Sequence, residues 1–284
     1  MTALIAFVGD THGNLILMYE RLLEWQERTG LELSWVWQVG DFGIWPTMDS
    51  LDPSSIKHAK KHGYPVREAF GDFHKIVLGE YKVPIPTYFT RGNHEDQRFL
   101  MTYEKSHQKE HKKRGAYLNL PIEICPDLFY VPDSHVIELG GKRIASWGGC
   151  WGEKTFEMEY WSKERAVENK NGFAKRLNHM TRDRFERLMR TQFDILVTHE
   201  APAGCGVDVR ASNPSSIAID PEELTGGGAL PIRQLIETVG PEYQFNGHWH
   251  QFCQSKIGQT QCMVLDKVHA SKEKARWMEI IDIG

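Results

Sequence analysis

The chain has 284 residues, 40% of them hydrophobic and 25% charged, an ordinary globular composition with length enough for a large core. A net charge of -4 and a pI near 6.4 exclude a general polyanion binder and leave only a local basic patch. Five cysteines without a Cys-x-x-Cys pair argue against a disulfide framework or structural zinc, and no run approaches the roughly 20 apolar residues that span a membrane.

Strand and helix alternate from the start. Ala3-Leu-Ile-Ala-Phe-Val8 is a continuous apolar run, as expected of a strand covered on both faces. It is too short for a signal peptide and lacks a basic leader, so the expected location is the cytoplasm. A helix is predicted from about Asn14, with Leu15, Met18, Leu22 and Trp25 on one face and Gly30 as its stop. Ser34–Val39 predicts a second strand. Residues 45–65 read as loop, broken by Pro46, Pro53 and Pro65, and a helix is expected over Val66–Lys82. Thr87–Thr90 is the third strand. The second half is richer in strands: Leu128–Val131, His135–Leu139 and Arg143–Trp147, the last two joined by the hairpin signal Gly140-Gly141. Residues 152–190 read as a charged, mostly helical insertion. Phe193–Thr198 predicts a buried strand, Leu230–Val239 a helix and Tyr243–Asn246 a strand, and 252–257, 261–266 and 276–282 predict closing strands. No repeat or linker divides the chain, so one domain over 1–284 is the simplest organisation.

Short polar clusters follow the strands: Asp10-Thr11-His12, Gly40-Asp41, Gly92-Asn93-His94-Glu95, Thr198-His199 and Gly247-His248-Trp249-His250. In open α/β sheets, ligands gather at the carboxyl ends of strands, so these segments can converge on one crevice. Each cluster alone is turn chemistry or a hydrogen-bonded core histidine; five together point to a metal site. Carboxylates can bridge cations, imidazoles suit Mn, Fe, Ni and Zn, and an amide oxygen is a neutral ligand. The absence of cysteine from the set argues against a closed zinc site. Alternation about Trp249 puts His248 and His250 on the same side of an extended segment.

The ordered set, from Asp10 to His250, resembles the calcineurin-like metallophosphoesterase superfamily. The resemblance implies an α/β fold, a four-layer α/β/β/α sandwich of two mixed sheets with a dinuclear site at one edge. It implies two divalent metal ions, Mn first, with Fe, Ni or Zn as alternatives. Asp10, His12 and His250 would bind one, Asn93, His199 and His248 the other, and Asp41 would bridge them. His94 would protonate the leaving oxygen or stabilise the transition state. The implied activity is phosphate-ester hydrolysis by two-metal activation of a hydroxide. A phosphodiesterase on nucleotides or nucleic acid stands ahead of a phosphomonoesterase or protein phosphatase, and ahead of a non-catalytic scaffold.

In protein phosphatases the second motif continues as Gly-Asp-x-x-Asp-Arg-Gly; here it reads Gly40-Asp41-Phe42-Gly43-Ile44-Trp45. The Asp that pairs with the catalytic His and the phosphate-binding Arg are therefore missing from the motif, leaving Arg91 or His12 as the candidate phosphate contact. A looser similarity, through Asp127–Val131, Gly141–Ile144, Gly148-Gly149 and His199-Glu200-Ala201-Pro202, is to RNA lariat debranching enzymes, which are phosphodiesterases. Those enzymes carry Cys where this chain has Asp10, and a long C-terminal region absent from this sequence.

Gln97–Arg114 has a net charge of +4. A solvated helix face is the default reading, and a cap on a phosphate chain is the functional one. Trp147, Trp151, Phe156, Tyr160 and Trp161 read as core, with base stacking as the alternative. Gly226–Gly228 reads as a flexible connection, and His58, His62, His74, His179 and His269 as surface residues. The expected partner is a phosphorylated small molecule, nucleotide or nucleic-acid substrate; metal identity and oligomeric state stay open.

Overall fold

The computed structural model describes residues 3–113, 120–162, 175–208, 227–268 and 276–284. Two mixed six-stranded sheets form its frame. In the first, β1 (Leu4–Val8), β2 (Leu33–Gln38), β3 (Thr87–Phe89) and β5 (Leu128–Tyr130) run parallel. Antiparallel β12 (Met278–Asp282) and β4 (Ile122–Cys125) close its edges. The second sheet repeats the plan. Its parallel centre is β11 (Thr260–Val264), β9 (Tyr243–Asn246), β8 (Ile195–Thr198) and β7 (Lys142–Trp147). The antiparallel edges are β10 (Cys253–Ile257) and β6 (Val136–Leu139).

The period of two along the strands sets the layers. In β1, Leu4, Ala6 and Val8 face a core shared with helices α1 (Leu15–Thr29), α3 (Phe73–Val77) and α4 (Gln97–Lys113). Ile5 and Phe7 point the other way, into a core shared with Ile195, Val197, Phe245 and Met263 of the second sheet. Phe7 stacks on Phe245 with ring centroids 3.9 Å apart. On the far side, Ala145, Trp147 and Leu196 pack against α5 (Glu153–Phe156), α6 (Arg182–Leu188) and α7 (Leu230–Val239). Three apolar cores between four layers give the α/β/β/α sandwich.

Three stretches differ from the sequence expectation. The predicted loop 45–65 contains α2 (Pro53–His62), because Pro53 occupies the first helical turn, where a missing N–H costs nothing. Asp52 caps it, accepting from Ser54 N and Ser55 N, and Gly63 ends it in a left-handed conformation, φ 73°. The helix expected over Val66–Lys82 is split into a 3-10 turn, Val66–Phe70, and α3, with Gly71 between them. Strand β4 was not anticipated: it is a four-residue edge, with too little alternation to register.

The stretch 152–190, expected as a mostly helical insertion, contains α5, a 3-10 turn and α6 among its described residues, joined by turns and coil; residues 163–174 lie outside the described residues. It docks through polar contacts as well as apolar ones. Buried Glu104 of α4 accepts from the hydroxyls of Tyr130 and Tyr160, each at 2.8 Å. The Arg184 guanidinium lies 4.3 Å from the Tyr160 ring centroid. Trp147, Phe156 and Tyr160 are buried, so core packing, the default reading, accounts for them. In α4, Lys105 lies over the Trp161 ring; the side chains of Lys112, Lys113 and Arg114 lie outside the described residues. His58 and His62 are exposed as expected, whereas His74 and His179 are half-buried, His74 stacked on Phe70. His269 and Gly226 lie outside the described residues, and Gly228 (φ 102°) packs where a Cβ would meet the Ala201 carbonyl oxygen at 2.6 Å.

Candidate metal centre

The site gathers at the carboxyl ends of both parallel strand sets. Asp10 follows β1, Asp41 follows β2, and Asn93 and His94 follow β3; His199 follows β8, and His248 and His250 follow β9. Two groups form. The donor atoms of Asp10, His12 and His250 lie within 4.8 Å of one another, as do those of Asp41, His199 and His248.

Within the first group, His12 Nε2 and His250 Nε2 are 2.8 Å apart, and His250 Nε2 is 3.1 Å from Asp10 Oδ2. In the second, His199 Nε2 lies 3.3 Å from Asp41 Oδ1 and 3.0 Å from Asn93 Oδ1. Asp41 also reaches the first group, with Oδ2 3.9 Å from His12 Nε2. It thus lies between the two groups.

The backbone is bent to achieve this. Among the described residues, the non-glycine residues with positive φ include His12 (44°), Asp41 (54°), His248 (67°) and His250 (50°). Left-handed backbone in such residues costs free energy, and it clusters where a site demands it. The segment from His248 to His250 is accordingly a bend and not the extended run expected. The two imidazoles go to different groups because Gly247 lets the chain turn sharply against Asp10. A Cβ at Gly247 would lie 1.9 Å from Asp10 Oδ1, and one at Gly92 would lie 2.0 Å from Asp41 N. The glycines in these motifs exist for close approach.

Charge balances across the cluster. Burial pushes the Asp41 carboxyl up, but His199 and His94 outweigh it and hold it well below the ordinary range. Burial likewise raises Asp10, and the hydrogen bond from His250 and the charge of His199 bring it below its usual value. Burial opposes the charged form of His199, yet Asp41 and Asp10 lift it to about 9. The donor chemistry fits divalent cations: convergent imidazole and carboxylate donors, an amide oxygen and no thiolate.

His94 stands beside the groups rather than in them. Its ring centroid is 5.2 Å from that of His12, and its backbone N–H donates to Asp41 Oδ1 at 2.7 Å. Its Nδ1 lies 3.1 Å from Asp52 Oδ1. The carboxylate partner missing from the second motif is therefore present, supplied by the cap of α2. Asp52 is 11 positions beyond Asp41 in the sequence, outside any short motif. Burial opposes protonation of His94, but Asp41 and Asp52 raise it to about 9.

Two further carboxylates stand in the quoted motifs without a role assigned from sequence. Glu95 is fully buried and accepts from the N–H groups of Phe42, Gly43, Ile44 and Gly92. It clamps the Asp41 loop to the Asn93 loop, and burial with nearby Asp41 pushes its carboxyl up to about 7 against those four bonds. Glu200 accepts from Trp249 Nε1 at 2.7 Å and lies 3.6 Å from His248 Nε2, orienting the bend from outside.

Arg91 is not placed as a phosphate contact. Its guanidinium is buried, paired with Asp133 at 2.6 Å and donating to the carbonyls of Leu177 and His179. It joins the β3 loop to the insertion behind the site. Removing one partner of a buried pair costs about 3–5 kcal/mol. Arg91→Ala is expected to lower unfolding free energy by that order, read from urea unfolding; a loss under about 1 kcal/mol would show that the pair carries little.

The family model for calcineurin-like phosphoesterases matches residues 3–252. The chain belongs to that family. The phosphoesterase is thus a hydrolase of phosphoester bonds, of a family that uses divalent metal ions. It is 26% identical over 268 residues to the lariat debranching enzyme of Entamoeba histolytica, covering 93% of this chain and 68% of that one. To the lariat debranching enzyme of Saccharomyces cerevisiae it is 28% identical over 257 residues, covering 87% of this chain and 56% of that one. The chain thus spans between about half and two thirds of these relatives. One solved crystal structure superposes on 100% of this chain and 96% of its own at a TM-score of 0.55, with 12% identity, a likeness of fold alone.

Proposed function

We propose that this phosphoesterase is a dinuclear metal-dependent phosphodiesterase acting on nucleic acid. The observation that carries the reading is the pairing of two donor groups, Asp10-His12-His250 and Asp41-His199-His248, across one carboxylate. Asp10, His12 and His250 would hold one cation, His199, His248 and Asn93 a second, with Asp41 between them. When bound, two divalent cations neutralise phosphoryl charge and supply a nucleophile from water at neutral pH.

The chain's own residues do the rest. Asp52 accepts from His94 Nδ1–H, which fixes the ring and leaves Nε2 as the nitrogen that serves substrate. A protonated His94 donates to the departing oxygen, and the Asp52 carboxylate at its Nδ1 favours that protonated form. The β3 and β9 loops hold the donors in place through Glu95 and Glu200. The lariat debranching relatives favour a diester in a nucleic acid, and Mn is the first cation to test. No helix among the described residues is long and apolar enough to cross a membrane, and free cysteines fit the reducing cytoplasm of the proposal.

Metal removal is a direct test. Dialysis against a chelator is expected to abolish hydrolysis of bis-p-nitrophenyl phosphate, and added Mn to restore it. Preference for the monoester would favour a phosphomonoesterase, and inertness with Mn, Fe, Ni and Zn alike a scaffold.

A further inference from the structure

Helix α2 carries Lys57, Lys60 and Lys61 and no acidic residue. The spacing i, i+3, i+4 puts these lysines on one face. All three are exposed, and none makes an ion pair among the described residues. The face opposite them is anchored by buried Ala59, and Ile56 beside it packs against a small core of Trp45, Leu51 and Phe70. The helix is therefore fixed in direction, and its cations project from a rigid base.

Direction matters because α2 starts at the reaction centre. Its cap is Asp52, which holds His94. Its ten residues span about 15 Å from there. Next to the lysines, the His58 and His62 rings lie 4.3 Å apart. Burial and then the positive charges of His62, Lys267, Lys61 and His250 hold the His58 imidazole below its usual value. The flanking acids are Asp49, before the cap, and Glu68, in the following turn, both exposed. In a chain of net charge -4, this is a local concentration of unpaired positive charge beside a phosphoryl site.

We propose that α2 is a strand-binding arm: Lys57, Lys60 and Lys61 hold the backbone phosphates of a single-stranded polynucleotide whose reacting phosphate sits at His94. This rests on the phosphodiesterase reading. Lysines without planar, bidentate partners bind phosphates as point charges, so the arm reads backbone and not base. It gives longer strands an advantage over minimal diesters.

The test is anisotropy of a labelled single strand of roughly 12 nucleotides with the full chain in chelator, where no hydrolysis intervenes. The triple variant Lys57→Gln, Lys60→Gln, Lys61→Gln is expected to weaken binding roughly 10-fold at about 50 mM salt. The log–log salt slope should shrink by roughly 2, since each single-strand phosphate contact contributes about 0.7. Lys61→Glu alone should weaken binding in the same direction, guarding against misfolding of the triple variant, and Lys256→Gln on β10 is the control for net charge. With Mn added, the ratio of kcat/KM for the strand to that for bis-p-nitrophenyl phosphate should fall in the triple variant. Equal affinity and slope in wild type and triple variant overturn the proposal, as does displacement by polyglutamate as readily as by unlabelled strand, which would mark an acidic-protein surface. If wild type binds the strand through α2 but cleaves no diester, the phosphodiesterase reading falls and the arm stands.

Discussion

Asp41→Ala is expected to be the most damaging single substitution in the chain, removing both metal occupancy and turnover. The carboxylate touches both donor groups, at 3.3 Å from His199 Nε2 and 3.9 Å from His12 Nε2. It also accepts the His94 backbone N–H. Without it, the imidazoles of His94 and His199 lose the negative charge that raises both of them. Loss of an outer partner of a ligand costs about 10–100-fold; loss of a group shared by two ligand sets should exceed that, with kcat down by roughly 10³-fold or more. Metal content by atomic absorption should fall from two ions toward one or none. Two retained ions with near-normal kcat would remove Asp41 from the centre.

His94→Ala is expected to separate chemistry from metal binding. His94 belongs to neither donor group, so the variant should keep its ions while kcat falls by about 10²–10⁴-fold, the range of general acid catalysis. The loss should be largest for a nucleotide leaving group, which needs a proton, and smaller for p-nitrophenolate, which does not. Asp52→Asn should follow the same leaving-group pattern with a smaller drop, because the ring remains but its tautomer and orientation are no longer held. Equal losses on good and poor leaving groups would mean that His94 does not supply the proton. Unchanged activity of Asp52→Asn would reduce the 3.1 Å contact to a helix cap.

The strands that place the ligands were legible because parallel strands buried on both faces read as unbroken apolar runs, and the donors sit one to four residues after them. Asp10, Asp41, Asn93, His199 and His248 are all found that way. Asp52 was hidden for a physical reason. It is presented by a helix whose Pro53 looks like a breaker and is instead a first-turn residue, and its pairing with His94 spans 42 positions. Glu95 stood inside a recognised motif, but its four backbone acceptor bonds are tertiary and leave no local pattern. Arg91 misled in the other direction. An arginine preceding the ligand loop resembles a phosphate clamp, and only the burial of Asp133 opposite it reveals an internal pair.

The two sheets contribute unequal halves of the centre, and they leave the ribosome at different times. Asp10, Asp41 and Asn93 are synthesised first, whereas His248 is 238 positions after Asp10, to which its backbone N–H donates. Until β8 and β9 emerge, the early half is Asp10, His12, Asp41 and Asn93 facing the place where the second sheet will dock, without His199, His248 and His250 to complete the two groups. Domains fold as units during synthesis, and here neither donor group is complete before the last quarter of the chain, which carries His248 and His250, is made. On the proposed reading, metal capture would wait for β9: a nascent chain stalled before His248 should remain unmetallated, and an ion bound afterwards would staple the earliest-made strand to one of the latest.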